Sequence, residues 1–534
     1  MWSEAAARRD DEVALLPGAR GLVQDALSRS AGRFPGRTAL VCGETRLSYA
    51  QLDEQASRLA GALAAEGVQP GSRVVVLLEN SAESVVSIYA ILRAGAVFTL
   101  LSPSTKAEKL GYVLADEVAT ALITVNDPVR RRTVANLAPE LVPPLTIWVG
   151  GVPAGGAGGR QRGWEELGAA AAGPVPDLLL SDDAIGTIIY TSGTTGAPKG
   201  VVSLHRDMVF SVASINAYLH NSPSDVIFCS LSLAFTYGLY QLLTAVEAGS
   251  TLVLERNFTF PRRALEVMQR ERVTALPGVP MLFRLLLGVE RLDHFDLSSL
   301  RYLTNAAAPM PVEQIMAVRD TFPHAEFFSM YGQTECKRTC YLPPEELARR
   351  PGSVGVAIPG TEAYVVDANG EKVPPGTVGE LVVAGPHLMA RYWQKPEETA
   401  QRLRTGADGR VVMYSGDLFR TDDDGFLYFV SRADDMIKTR GEKVSPNEIE
   451  AALRRLEGVR DVAAVGVPDD LLGEAVAVFV VRAPGSLLTE RAVRAFCREH
   501  LEEFIVPRYV EFRRELPTSE NGKTVRKELR RCVG

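Results

Sequence analysis

The sequence predicts an α/β chain: a large N-terminal multi-layer α/β domain followed by a small, separate C-terminal α+β domain. Three observations lead there. Short apolar runs alternate with amphipathic segments as far as residue 431, the rhythm of parallel α/β layers. That rhythm breaks at a charged stretch, Arg432-Ala433-Asp434-Asp435. And 534 residues exceed the roughly 100–200 that one core usually organises.

Each element has a local reason. Residues 73–78 (RVVVLL), bounded by Pro70-Gly71 and Glu79-Asn80, read as a strand. A helix over 81–93 and a strand over 96–101 follow, and 121–125 and 145–149 continue the series. Residues 150–176, rich in Gly and Ala, predict a surface loop with a short helix at 164–167. Strands are predicted at 185–189 and 226–229. An extended segment holding Phe235 and Tyr237 comes next, then a helix from Leu239. Beyond the break, Ser445-Pro446-Asn447-Glu448 supplies an N-cap, a Pro at the first helical position and a Glu at the third, a capping box for a helix to Leu456. Strands at 462–467 and 475–481, a helix at 490–501 and a strand at 509–512 complete the small domain. A polar loop, 518–522, then carries Lys523.

Composition excludes several classes. Lys and Arg total 58 against 65 Asp and Glu, a net charge of −7, so the chain is no general nucleic-acid binder. Hydrophobic residues at 46% and charged residues at 23% are globular values, not disordered ones. Six cysteines are too few for a disulfide scaffold, and Cys336 and Cys340 read as structural thiols. The most apolar stretch, 85–101, is broken by Arg93 and Gly95 and reads as helix plus strand, not a membrane span. The N-terminal residues MWSEAAARRDDEVALL lack an apolar signal core, which predicts a cytoplasmic protein.

The strongest motif is Tyr190 to Gly200, YTSGTTGAPKG, at the end of a strand. Gly193, Gly196 and Gly200 let backbone N–H groups face an anion. Thr191, Ser192, Thr194 and Thr195 add hydroxyls, and Lys199 adds a point charge. The loop suits a polyphosphate. It is not the Walker pattern, in which Gly-Lys-Ser/Thr opens a helix.

Together with motifs further along the chain, this loop resembles the phosphate loop of the adenylate-forming superfamily: acyl- and aryl-CoA ligases, adenylation domains of peptide synthetases, and luciferases. Those motifs stand in the family's order along nearly the whole chain. Tyr331-Gly332-Gln333-Thr334-Glu335 looks like the adenine and magnesium motif. By resemblance Tyr331 stacks on adenine, Gly332 and Ala307 line the nucleotide, Thr334 contacts the α-phosphate and Glu335 holds Mg2+. Tyr414-Ser415-Gly416-Asp417 is similar to the ribose motif, with Asp417 and Arg432 as ribose contacts. Most members have Gly where Ser431 stands. Asp434 matches the hinge position, which implies domains of 1–431 and 438–534 joined by 432–437. Lys523 matches the lysine that makes the adenylate. Lys438, Lys443 and Gly441 match the loop that faces the site after the small domain rotates, with Gly441 leaving room for a pantetheine arm.

The acid pocket departs from the commonest pattern. Residues 233–239 are LAFTYGL, with Phe235 where a His often stands. Residues 305–309 are NAAAP where GGAP is frequent, and the methyl groups of Ala306 and its neighbours narrow the pocket. Phe235 and Tyr237, two apart in an extended segment, share a face and form one wall, beside Gly238 and Gln333. These features favour a compact or aromatic acid. Lys337 and Arg338, after the acidic motif, can meet an anionic group of the substrate or serve structure.

The resemblance implies an ATP-dependent acid:thiol ligase. A carboxylic acid is adenylated with release of pyrophosphate, and the acyl group then passes to CoA or to the phosphopantetheine thiol of a free-standing carrier protein. Two alternatives stay open. One is an adenylate-forming enzyme with a different ending, an amide-forming ligase or an ATP-dependent diazotase activating nitrite. The other is a nucleotide-binding sensor without catalysis, against which Lys199, Glu335, Asp417 and Lys523 all stand.

Overall fold

The computed structural model of the protein describes residues 21–155, 158–169, 179–191, 198–406, 408–439, 442–469, 473–501, 505–519 and 523–531. Among them four sheets form. The first has nine strands, beginning in spatial order at Val356, Cys340, Glu326, Tyr302, Ala275, Val226, Thr251, Thr38 and Thr45. The second has eight, beginning at Arg391, Lys199, Ile185, Val97, Arg73, Ala121, Leu145 and Arg160. The centres of both are parallel, as the alternation predicts.

The period of a strand explains the layering. In Arg73–Leu77, Val74 and Val76 pack inward, whereas Val75 and Leu77 pack outward onto the helix Ala107–Asp116. In the first sheet Leu40 faces in and Val41 faces out toward the helices Pro261–Arg270, Pro280–Leu287 and Val312–Thr321. Helices Tyr49–Ala65, Ala82–Arg93, His205–Leu219 and Thr236–Ala248 lie between the sheets in one continuous core. Ala82–Arg93 is buried on nearly every side, and its sequence, apolar almost all round, shows why. The result is five layers, α–β–α–β–α.

A third, antiparallel sheet of strands Glu362–Val366, Gly379–Ala384, Val411–Thr421, Leu403–Thr405 and Leu427–Arg432 closes the large domain. The small domain is built on Val459–Asp469 paired antiparallel with Gly473–Arg482. Val462 and Ala464 pack in the core that holds Ile449, Val493 and Cys497, while Val465 and Val467 pack with Leu529 on the other face.

Three local expectations are corrected. Residues 160–163 are an edge strand, parallel to Leu145–Val149, inside the expected loop. The polar RQRG sequence hides it, because an edge strand needs little apolar burial. The helix expected from Leu239 begins at Thr236. Ser445 precedes the helix Pro446–Arg454 but its side chain makes no cap; its hydroxyl donates to the Val430 carbonyl at 2.9 Å instead. Asn447 Nδ2 donates to the same oxygen at 2.8 Å.

Candidate active site

The phosphate-loop strand Ile185–Thr191 returns as Lys199–Leu204, with Thr191 opposite Lys199. Ser192, Gly193, Thr194 and Thr195 lie outside the described residues. The return strand is braced by Arg391–Tyr392, which adds to its edge, and by Trp393 N donating to the Gly200 carbonyl at 2.7 Å. Glycine at 200 is a packing requirement: a Cβ there would meet Ile188 Cγ2 at 2.7 Å. Lys199 Nζ sits 5.5 Å from the Tyr392 ring centre, and the Tyr392 hydroxyl donates to Glu335 Oε1 at 2.7 Å. Tyr392 therefore ties the loop's cation to the acidic motif. No sequence motif marks Tyr392 for this part. Its one signal is an aromatic pair, Tyr392-Trp393, placed just before the Pro that opens the helix Pro396–Arg402.

Tyr331 ends the strand Glu326–Tyr331. Its hydroxyl donates to Asp417 Oδ2 at 2.7 Å, and Gln333 Nε2 donates to the same oxygen at 2.8 Å and to the Ser415 carbonyl at 2.9 Å. The ring packs against Phe419 and Phe429, with centroids at 4.9 and 6.3 Å. Asp417 and Arg432 stand directly opposite each other in an antiparallel ladder. Asp417 Oδ1 is 3.3 Å from Arg432 Nε, yet it is buried without a hydrogen bond among the described residues. Gln333 Oε1 is likewise without one. Gln333 thus braces Asp417 and keeps one amide oxygen unpaired among the described residues. At Gly332 a Cβ would meet the Lys337 carbonyl at 2.7 Å. Thr334 is half-buried beside Glu335.

Lys523 reaches this cluster from the small domain. Its turn is fixed by Ser519 N donating to the Lys523 carbonyl and Lys523 N donating to Ser519 Oγ. The residue is exposed to solvent. Loss of hydration lowers its pKa and Arg432 lowers it further, whereas Asp417 and Glu335 raise it. Lys523, Arg432, Asp417 and Glu335 therefore share one electrostatic field. Asp434 lies in a helical turn, Ala433–Asp435. Lys438 and Lys443 face each other across a hairpin, and their side chains, like that of Asp434, are outside the description. Gly441 is outside the described residues altogether.

On the acid side the shared wall of Phe235 and Tyr237 does not form. Phe235 is the residue before the helix Thr236–Ala248 and Tyr237 is inside its first turn, so the two-residue spacing places them on different faces. The Tyr237 hydroxyl meets Thr304 Oγ1 at 2.7 Å and donates to the Thr304 carbonyl at 3.0 Å. Gly238 touches backbone: a Cβ would lie 2.2 Å from the Ser232 carbonyl oxygen. Ala306 is buried, and Ala307 is held at φ +74°, a left-handed conformation that disfavours any side chain. Lys337 is not a pocket residue. Its ammonium is buried, donates to the His387 carbonyl at 2.9 Å and lies 3.9 Å from Asp207 Oδ2. Burial pushes its pKa down to about 8.

Residues 27–393 match the AMP-binding enzyme family and residues 448–523 the AMP-binding enzyme C-terminal domain. The chain belongs to the AMP-binding, adenylate-forming enzyme family. It is 36% identical to a feruloyl-CoA synthase of Amycolatopsis sp, across 95% of this chain and 98% of that one. Its fold is similar to ATP-bound MatB from Rhodopseudomonas palustris, with a TM-score of 0.85 and 28% identity over 95% of this chain and 98% of the other. It is equally similar to the amide bond synthetase McbA from Marinactinospora thermotolerans, with a TM-score of 0.85 and 28% identity over 96% and 100%. No helix among the described residues is long and apolar enough to cross a membrane.

Proposed function

We propose that this chain is an AMP-forming acid:thiol ligase of the cytoplasm, acting on a compact carboxylic acid. The observation that carries the reading is the convergence of Tyr331, Gln333 and Arg432 on Asp417, with Tyr392 linking Glu335 to the neighbourhood of Lys199.

The geometry supports the following roles. Asp417 Oδ2 is saturated by Tyr331 and Gln333, so the free Oδ1 accepts from the ribose hydroxyls of ATP. Tyr331 offers its ring to adenine. Thr191, Lys199 and the loop 192–197 hold the phosphates. Glu335 would hold Mg2+: its carboxylate is fixed in place by the Tyr392 hydroxyl, and Mg2+ is commonly held by one or two carboxylates plus substrate phosphates. When bound, it would neutralise phosphate charge. The acid's carboxylate attacks the α-phosphorus, and the P–O bond to pyrophosphate breaks. Thr334 and Lys523 stabilise the charge that builds on the α-phosphate and the attacking oxygen, the largest electrostatic contribution to such a step.

The acyl-adenylate then meets a thiol. The small domain, 438–534, turns about Asp434 in the linker 432–437, withdraws Lys523 and brings Lys438, Lys443 and Gly441 to the cleft. The sulfur attacks the acyl carbon, the C–O bond to phosphate breaks and AMP leaves. CoA or a carrier-protein phosphopantetheine supplies the thiol. The likeness to an amide bond synthetase supports a second reading, in which an amine takes the thiol's place. Pyrophosphate exchange across an acid panel tests the first step, and mass detection of thioester against amide tests the second. No exchange with any acid would refute adenylation.

A further inference from the structure

We infer that Arg338 is the counter-ion for a second anionic group on the acid, and that the substrate class is the dicarboxylic acids. The inference rests on the ligase reading and names what that pocket selects.

Three arginines are buried among the described residues: Arg93, Arg338 and Arg350. Arg93 is bonded to Asp53, Ser57 and Ser28, and Arg350 to Glu346, Asp422 and Asp424. Arg338 is the most buried of the three, at 3% exposure, and its guanidinium has no hydrogen bond or ion pair among the described residues. Its Nε is sealed from water with no acceptor. The guanidinium instead lies over a ring, with Cζ 4.9 Å from the centre of Tyr237. The adjacent cation, Lys337, has the opposite fate, paired with the His387 carbonyl and Asp207.

An unpaired buried cation is expensive, and a cation–π contact offsets only part of the cost. A carboxylate arriving with the substrate would supply the missing partner, and the planar guanidinium suits it in two-point fashion. The location agrees. Arg338 follows the acidic motif by three residues, and Tyr237 is anchored to Thr304, immediately before the Asn305-Ala306-Ala307 turn of the acid side. An acid with one carboxylate at the α-phosphorus and another at Arg338 spans that pocket.

The test uses matched pairs: succinate with butyrate, glutarate with pentanoate, isophthalate with 3-methylbenzoate. Pyrophosphate exchange and thermal shift are measured on wild type, Arg338→Met and Arg338→Lys. The dicarboxylate of at least one pair should lead in kcat/KM by about tenfold or more in wild type, since a site built for a polar group rejects the analogue lacking it. Arg338→Met should erase or reverse that lead, and Arg338→Lys should keep part of it. Without acid, Arg338→Met should melt no lower than wild type, because it removes an unpaired charge; a purely structural arginine would melt lower and lose activity on both members equally. Preference of wild type for the monocarboxylate of every pair overturns the inference and leaves the ligase intact. Arg338-dependent stabilisation by dicarboxylates without any pyrophosphate exchange supports the anion site and refutes the ligase reading instead.

Discussion

The two sides of the cleft are built differently. The side around Asp417 is cross-braced: Tyr331, Gln333 and Arg432 converge on one carboxylate, and Tyr392 links Glu335 to the neighbourhood of Lys199. The side around Tyr237 has one anchored hydroxyl, close glycine packing at Gly238, a strained Ala307 and a bare Arg338. Such a division suits an enzyme whose nucleotide is fixed while its acid is a matter of specialisation. The braced side positions charges for chemistry, and the bare side leaves polar capacity for a ligand to satisfy.

The comparison breaks most visibly at Lys523. Lys523→Ala should lower pyrophosphate exchange by at least ~10², yet leave consumption of a synthetic acyl-adenylate with thiol intact. Equal loss in both half-reactions would remove Lys523 from its role. Asp434→Pro fixes φ near −65° at the linker. It should halt thioester formation while exchange continues, and unchanged overall turnover would show that rotation does not pivot there.

A milder effect sharpens the picture of the braced side. Tyr392→Phe deletes one bond to Glu335, worth about 1.5–3 kcal/mol for a charged acceptor, so exchange should fall roughly ten- to a hundredfold with the fold preserved. Stability against pH separates Lys337 from its neighbour. Its pKa, lowered from 10.5 to about 8, means that the unfolded chain binds the extra proton between those values and the folded chain does not. Stability should therefore rise with pH from about 8 to 10.5, and Lys337→Met should flatten that rise in denaturant titrations. The smallest effect belongs to Ala307→Gly. Relief of roughly 1–2 kcal/mol at φ +74°, offset by roughly 0.5–1 kcal/mol of chain entropy, should leave a slight net stabilisation and a roomier acid side.

Much of this was legible in the sequence because its signals are local. The strand 73–77, apolar on both faces, announced a buried parallel sheet. The Tyr331 and Asp417 motifs, each a few residues long, are brought together by a hydrogen bond from Tyr331 to Asp417. The misses came from contacts made over long separations. Ser445 gave up its cap for Val430, fifteen positions away, and Tyr392 acts through Glu335, fifty-seven away. Lys337 and Arg338 are adjacent and alike in sequence, and only tertiary packing distinguishes the paired one from the bare one.

The Val430 carbonyl has a kinetic meaning. Ser445 and Asn447, both on the far side of the linker, grip this one oxygen on the near side. The rotation about Asp434 proposed above would separate them, which would make the pair a latch on the present arrangement of the two domains. Two such bonds at about 1 kcal/mol each would favour the latched population about thirtyfold over the unlatched one. On that proposal, release of the latch would contribute to the waiting time between the two half-reactions, and the turnover rate would be written partly into a serine and an asparagine outside the nucleotide motifs.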